Sequence, residues 1–279
     1  MSSSQHSQLK SNVAPWIRGL ARLGYGAKAV VYLSLGILAI QAALNLGGET
    51  TGSEGTLTAI ANQPFGQILL LLVSVGLLGY VLWRFVQAFL DPEHDSDSWS
   101  DVVRRLSYLL SGIAYSSLAL TALRLALGRS SQSNQQGSTP EMWAARLLQQ
   151  PMGRWLVGTA GACVIGIAFY YFYRAVRAKF RKRLRLHNLS QATGKNLVRL
   201  CQFGIAARGL VFSIIGGYLI KAAISADAEE ARSTKGALEA LEHSSTLGQW
   251  ILIVTAAGLV AYGVYMAAQA RYRKIEVLS

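Results

Sequence analysis

The chain has 279 residues, 52% of them apolar and only 15% charged, with a formal net charge of +13 and a mean hydropathy of +0.30. So few charges cannot solvate a globular surface of this size, which excludes one or two soluble domains. The positive balance does not point to nucleic acid, because the cations sit beside long apolar runs and no zinc, helix-turn-helix or RNA-binding signature accompanies them.

Residues 1–15 form a polar tail, expected to be disordered and cytosolic. Trp16, Arg18 and Arg22 then bring the chain to an interface, and Ala29 to Leu46 carries no formally charged side chain. That run of about 18 residues reaches across most of a bilayer core, and it is too long for the apolar region of a cleaved signal peptide. The loop after it has two acids and no Lys or Arg, with Ser53 as the expected N-cap of a short interfacial helix ending near Pro64. A second span is expected at Gln67–Ala88, with Arg84 snorkelling to the headgroups at its end.

An acidic linker leads to a third span, Leu106–Leu127. Thr139-Pro140-Glu141 opens another short helix, expected to reach Gln150. The fourth span, Trp155–Val176, ends in Phe169-Tyr170-Tyr171-Phe172-Tyr173, which reads as an aromatic belt. Nine cations follow between Arg174 and Arg199. Among them Arg177, Lys179, Arg181, Lys182, Arg183 and Arg185 are candidates for contact with anionic lipid headgroups, at about 1 kcal/mol each. The fifth span is Gly204–Ile224, with Lys221 expected to snorkel, and the sixth is Gln249–Ala270, after the short helix TKGALEALE. With the N-terminus in the cytosol, 20 of the 27 Lys and Arg residues fall on the cytosolic side, so both termini are expected there.

The spans repeat. Gly24, Lys28, Tyr32 and Gly36 fall against Gly204, Arg208, Phe212 and Gly216, and the middle copy keeps Arg105, Tyr108, Gly112 and Tyr115 but has Ser111 in the cation's place. The second spans align too, with Gly76, Tyr80, Trp83 and Gln87 against Gly258, Tyr262, Tyr265 and Gln269. The chain is therefore expected to be all-α: an integral membrane six-helix bundle of three tandem two-span repeats, residues 16–90, 99–180 and 197–275, with 181–196 as a basic cytosolic linker. Each unit enters and leaves on one side, which excludes inverted repeats between units and predicts a relation about the membrane normal.

Glycines at Gly24, Gly36, Gly204, Gly216, Gly76 and Gly258 form a helix-packing stripe, since small residues let backbones approach closely. Lys28, Tyr32, Ser111 and Arg208 would instead line a polar vestibule if they turn inward. The stretch R-x-G-Y-x-A-K-x-V-V-Y at Arg22–Tyr32 and the stretch P-F-G…G-L-x-x-Y-x-x-W-R-x-x-Q-A at Pro64–Ala88 resemble the bacterial family named domain of unknown function 1206. Copy two departs from that pattern with Ser111 for the cation, Ile167 for the tyrosine and Arg174 for the glutamine. The resemblance implies a six-span protein of three copies in a bacterial plasma-type membrane, and it carries no catalytic or binding residues with it.

His6, His94, His187 and His243 have no metal-ligand spacing, Cys163 and Cys201 imply no disulfide, and neither a catalytic motif nor a cofactor fingerprint occurs. No enzyme activity and no cofactor are expected. Asp and Glu are missing from all six expected spans, which weighs against proton-driven transport. The first expectation is a membrane scaffold or accessory protein acting through helix packing and its basic cytosolic surface. Its partners would be the bilayer and its anionic lipids; nucleic acid is not expected, and no motif names a protein partner. The second expectation is a channel or transporter for a small solute or anion along a pseudo-threefold axis.

Overall fold

Backbone N–H and C=O groups have no water to bond in hydrocarbon, so long apolar runs must close their hydrogen bonds internally as helices. A computed structural model describes residues 3–46, 50–89, 99–129, 140–178, 180, 190–227, 230–242 and 246–273. Its helices are α1 (Ser3–Ala43), α2 (Ser53–Ala61), α3 (Gly66–Phe89), α4 (Trp99–Ala126), α5 (Pro140–Leu148), α6 (Gly153–Arg177), α7 (Gln191–Ser225), α8 (Thr234–Glu242) and α9 (Thr246–Tyr272). Six of them, α1, α3, α4, α6, α7 and α9, are long and apolar enough to cross a membrane.

Three boundaries differ from expectation. Helix α1 begins at Ser3, within the stretch expected to be a disordered tail; extending a helix already nucleated by the span costs far less than starting one. The N-cap of α2 is Gly52, with no side-chain cap bond, and Ser53 is already helical. The basic linker gives way to α7 at Gln191, where the Ser190 hydroxyl accepts from the Thr193 backbone N–H at 3.2 Å.

Between copies the packing follows one rule. The second span of each copy lies against the first span of the next: α3 on α4, α6 on α7, and α9 back on α1. A small residue marks each of these contacts on the first-span side. A Cβ on Gly36 would stand 2.7 Å from the Val260 backbone nitrogen, and one on Gly216 would stand 2.8 Å from the Ile165 side chain. The equivalent residue of copy two is Ala119, which is fully buried.

Within copies the packing is unequal. Helix α1 packs on α3, and α7 on α9, but among the described residues α4 and α6 share no packed seam. The cause is legible at four equivalent positions. A Cβ on Gly24 would sit 2.5 Å from the Tyr80 Cβ and one on Gly76 would sit 2.7 Å from the Ala27 Cβ. Gly204 meets the Tyr262 backbone, and Gly258 meets Ala207, in the same way. At those positions copy two has Ser107 opposite Ile167 and Leu110 opposite Cys163. These larger side chains forbid the close approach, and Leu110, Cys163 and Ile167 are all exposed instead. The result is a ring of six spans, closed by five packed seams and open at the sixth.

The short helices belong to the loops on the side away from the termini. There the Thr50 hydroxyl donates to the Glu242 carboxylate at 2.7 Å, joining the first loop to the third. Lys221, expected to snorkel, pairs with Glu230 at 2.8 Å, because the loop before α8 brings a carboxylate within its reach.

Candidate functional site: a cationic, tyrosine-lined chamber

All six spans contribute side chains to one cavity of about 90 Å³. From the first spans it receives Lys28 on α1, Ser111 on α4 and Arg208 on α7, the three equivalent positions of the repeat. From the second spans it receives Tyr80 and Arg84 on α3, Tyr171 and Arg174 on α6, and Tyr262 and Arg273 from α9 and the residue after it. Among the described residues that line it, five are cations and none is a carboxylate. Lys28 lies within the span that starts at Gly19 and is only 4% exposed.

Tyrosines, in place of counter-ions, surround the cations. The Lys28 ammonium stands 4.2 Å from the centre of the Tyr80 ring and 4.0 Å from that of Tyr115, and its Nζ donates to the Tyr80 hydroxyl at 3.2 Å. Arg208 lies 4.7 Å from the Tyr262 ring and 4.9 Å from the Tyr32 ring, and donates to the Tyr32 hydroxyl. The two arrangements are the same arrangement twice. Each cation faces the tyrosine of its own copy's second span (Tyr80 or Tyr262) and the tyrosine of the next copy's first span (Tyr115 or Tyr32). A linking contact joins the two, since the Tyr32 and Tyr115 hydroxyls lie 3.3 Å apart.

At the third corner the unit is dismantled. Ser111 replaces the cation, Ile167 the first tyrosine and Phe212 the second. Ser111 still reaches the chamber and sits 3.5 Å from the Tyr80 hydroxyl. Phe212 stacks on Tyr171 and gives its face to Arg208 at 5.3 Å.

A second layer lies toward the ends that carry the termini. Arg84 donates from Nε to the Tyr80 hydroxyl at 2.6 Å and from Nη1 to Gln87 at 2.9 Å. It therefore turns into the chamber and does not snorkel as its sequence position suggested, because Tyr80, one turn earlier, offers it an acceptor. Arg174 donates to the Tyr265 hydroxyl at 2.5 Å, and Arg273 donates to that of Tyr25. Phe180, after α6, is buried and packs edge-on against Tyr265 with centroids 5.4 Å apart. The aromatic belt expected at 169–173 is divided, with Phe169, Tyr170 and Tyr173 exposed while Tyr171 lines the cavity.

Burying a cation away from water is costly unless something compensates it. Ring faces supply part of that, at about 2 kcal/mol or more per desolvated cation–π contact, and tyrosine hydroxyls supply acceptors. The compensation stays incomplete: among the described residues the Arg208 Nε is buried without an acceptor. The chamber is thus a concentration of positive charge with donors to spare, which is the electrostatic description of an anion site.

The glycines and the vestibule residues foreseen in the sequence thus occupy different parts of one design: Gly24, Gly76, Gly204 and Gly258 at the seams within copies, Gly36 and Gly216 at the seams between them, and Lys28, Ser111 and Arg208 on the chamber, with Tyr32 bonded to Arg208. Of the lipid-contact candidates, Arg177 is exposed and lies over the Tyr173 ring at 5.7 Å. Lys179, Arg181, Lys182, Arg183 and Arg185 lie outside the described residues. Sequence reasoning missed Tyr80, Tyr115, Tyr171, Arg174, Tyr262 and Arg273 as site residues. The repeat held part of the signal, because Tyr80 and Tyr262 are equivalent, as are Tyr32 and Tyr115.

Fold and chamber together define a multi-pass membrane protein of three tandem two-span repeats arranged about a cationic core. Within that class the chain belongs to the family described as Domain of Unknown Function (DUF1206), whose model matches three times, at residues 23–91, 106–178 and 203–273. It is also similar to the uncharacterized protein YxxB of Bacillus subtilis (strain 168), with 35% identity over 270 residues, covering 96% of this chain and 95% of that one. No solved structure matches it.

Proposed function

We propose that the protein binds an anion within the membrane, as a channel or transporter, and is not only a scaffold. The observation that carries this reading is the convergence of Lys28, Arg84, Arg174, Arg208 and Arg273 on one cavity that, among the described residues, no carboxylate lines. A scaffold needs helix-packing faces and an exposed basic loop. It has no use for five cations turned inward, where each adds to the desolvation cost and repels the others. An anion binder needs that charge. The rings and their hydroxyls hold the cations in place, and the Arg208 Nε is still without an acceptor among the described residues. We further propose that both termini face the cytosol, on the strength of the Lys and Arg distribution.

The test is thermal unfolding of the purified protein in detergent, with inorganic phosphate, sulfate or chloride added at constant ionic strength. A ligand at a hundred times its Kd stabilises by about 2.7 kcal/mol, a shift of several degrees. Arg174→Gln and Lys28→Met should each reduce the shift, to about half for a ten-fold loss of affinity. A parent protein that melts at one temperature in all three salts, and carries none of them across liposomes, would remove the basis of this proposal.

A further inference from the structure

The ring has one unpacked seam, between α4 and α6, and both helices also line the chamber: Ser111 and Tyr115 on one side, Tyr171 and Arg174 on the other. Among the described residues these two staves of the wall both reach the cavity but do not pack on each other, which leaves a slot between them. From the anion reading above, we infer that the ligand is an anionic phospholipid, whose phosphate headgroup enters the chamber sideways through this slot while its acyl chains remain in the bilayer.

Three observations converge on that occupant. The first is charge: Arg174, carried by α6, lines the chamber with Arg208 and Lys28, so a phosphate passing between α4 and α6 meets several donors. The second is the surface outside. Leu106, Leu110 and Ile113 on α4, and Ile167, Tyr170 and Val176 on α6, are all exposed, so both helices present hydrocarbon to hydrocarbon at the depth of the chamber. The third is how little of each helix the rest of the protein covers. Only 22% of the apolar window of α4 and 17% of that of α6 are buried, against 61% for α9. Among the described residues each has an extensive seam with one other span, α4 with α3 and α6 with α7, besides the short helices α2 and α5. A free inorganic anion would need no slot toward lipid; a headgroup tethered to two acyl chains does.

The experiment uses the full-length protein in nanodiscs with phosphatidylglycerol bearing a photoactivatable diazirine on one acyl chain, and labelled peptides are mapped by mass spectrometry. The labels should concentrate on α4 and α6 between residues 106–115 and 167–176. Excess unlabelled phosphatidylglycerol should remove them and phosphatidylcholine should not. Arg174→Gln should reduce them about ten-fold, the factor expected for one charge-assisted contact. Uniform labelling of all six spans, or equal competition by phosphatidylcholine, would overturn the lipid inference. If phosphate still stabilises the protein in that case, the anion reading survives alone; if it does not, both fall. Protein–protein cross-links between α4 of one copy and α6 of another, in place of lipid adducts, would show that a second copy covers the slot and would also overturn it.

Discussion

One methyl group added to α7 should raise or lower the stability of the whole bundle according to which glycine receives it. At Gly217 a Cβ would meet nothing within 4 Å, so Ala there gains only helix propensity, about 1 kcal/mol. At Gly204, on the same helix, the Cβ would run into the backbone of Tyr262 and Ala261. Backbone cannot turn aside as a flexible side chain can, so the cost lies near the upper end of the overpacking range, about 3 kcal/mol. Subtracting the propensity gain leaves Gly204→Ala about 2 kcal/mol less stable than the parent, and Gly217→Ala about 1 kcal/mol more stable. At roughly 2–4 °C per kcal/mol for a chain of this size, the two variants should melt about 6–12 °C apart. Intrinsic fluorescence of the detergent-solubilised protein during heating reads both values. If Gly204→Ala melts at or above Gly217→Ala, the two spans of copy three do not meet as described, and the account of the seams fails with them.

Tyr32→Phe should cost about 1–3 kcal/mol, because it removes the acceptor of Arg208 while keeping the ring, and Tyr32→Leu should cost about 2 kcal/mol more through the lost cation–π face; thermal unfolding of the pair separates the two contributions. With Cys163 and Cys201 replaced by alanine, a cysteine at Ser190 should be shielded from an impermeant thiol reagent in intact cells and one at Ser53 should react, and equal labelling would reverse the orientation argument. Replacing Arg181, Lys182, Arg183 and Arg185 together by glutamine should weaken salt-sensitive association with anionic liposomes by about 4 kcal/mol. Association that is indifferent to salt would leave these residues a topological role alone.

The spans were legible because hydrocarbon imposes a length and a composition that twenty consecutive residues display openly. The copies were legible because equivalent residues recur at fixed offsets. The chamber was only half legible, for a physical reason. Arg84 and Arg174 lie within a turn or so of their helix ends, where a long cation reaches water as easily as it turns inward, and sequence cannot weigh those two routes. What decides between them is an acceptor from a neighbouring turn or helix: Tyr80 for Arg84, and Tyr265 for Arg174. Tyr171 hid in a run of five aromatics, of which the helical phase relative to α7 turns Tyr171 and Phe172 toward that helix and brings Tyr171 to the chamber. Lys28 was easier, since its equivalence to Arg208 marked a position at which the fold holds a cation twice.

The departures of copy two look like independent drift along the sequence, but in space they fall on one side of the ring. Ser111 and Ile167 remove the cation and its own-copy tyrosine, while Ser107, Leu110 and Cys163 replace the small residues that would let α4 and α6 touch. Loss of the first-span cation and loss of the seam thus coincide, while Arg174 stands in copy two where its sisters carry Gln87 and Gln269. The seam can be probed directly, because Ala27 and Gly76, Leu110 and Cys163, and Ala207 and Gly258 are equivalent pairs. A disulfide needs Cβ atoms about 3.5–4.5 Å apart. The Cβ positions of residues 27 and 76 stand 2.7 Å apart and need only a small separation. In a background without Cys201, Ala27→Cys with Gly76→Cys should therefore oxidise readily in membranes. Leu110→Cys facing the native Cys163 should stay reduced under the same oxidant, read as cross-linked peptides by mass spectrometry. Quantitative oxidation of the 110–163 pair would mean that copy two closes like its sisters, and the slot would then have no place in the protein.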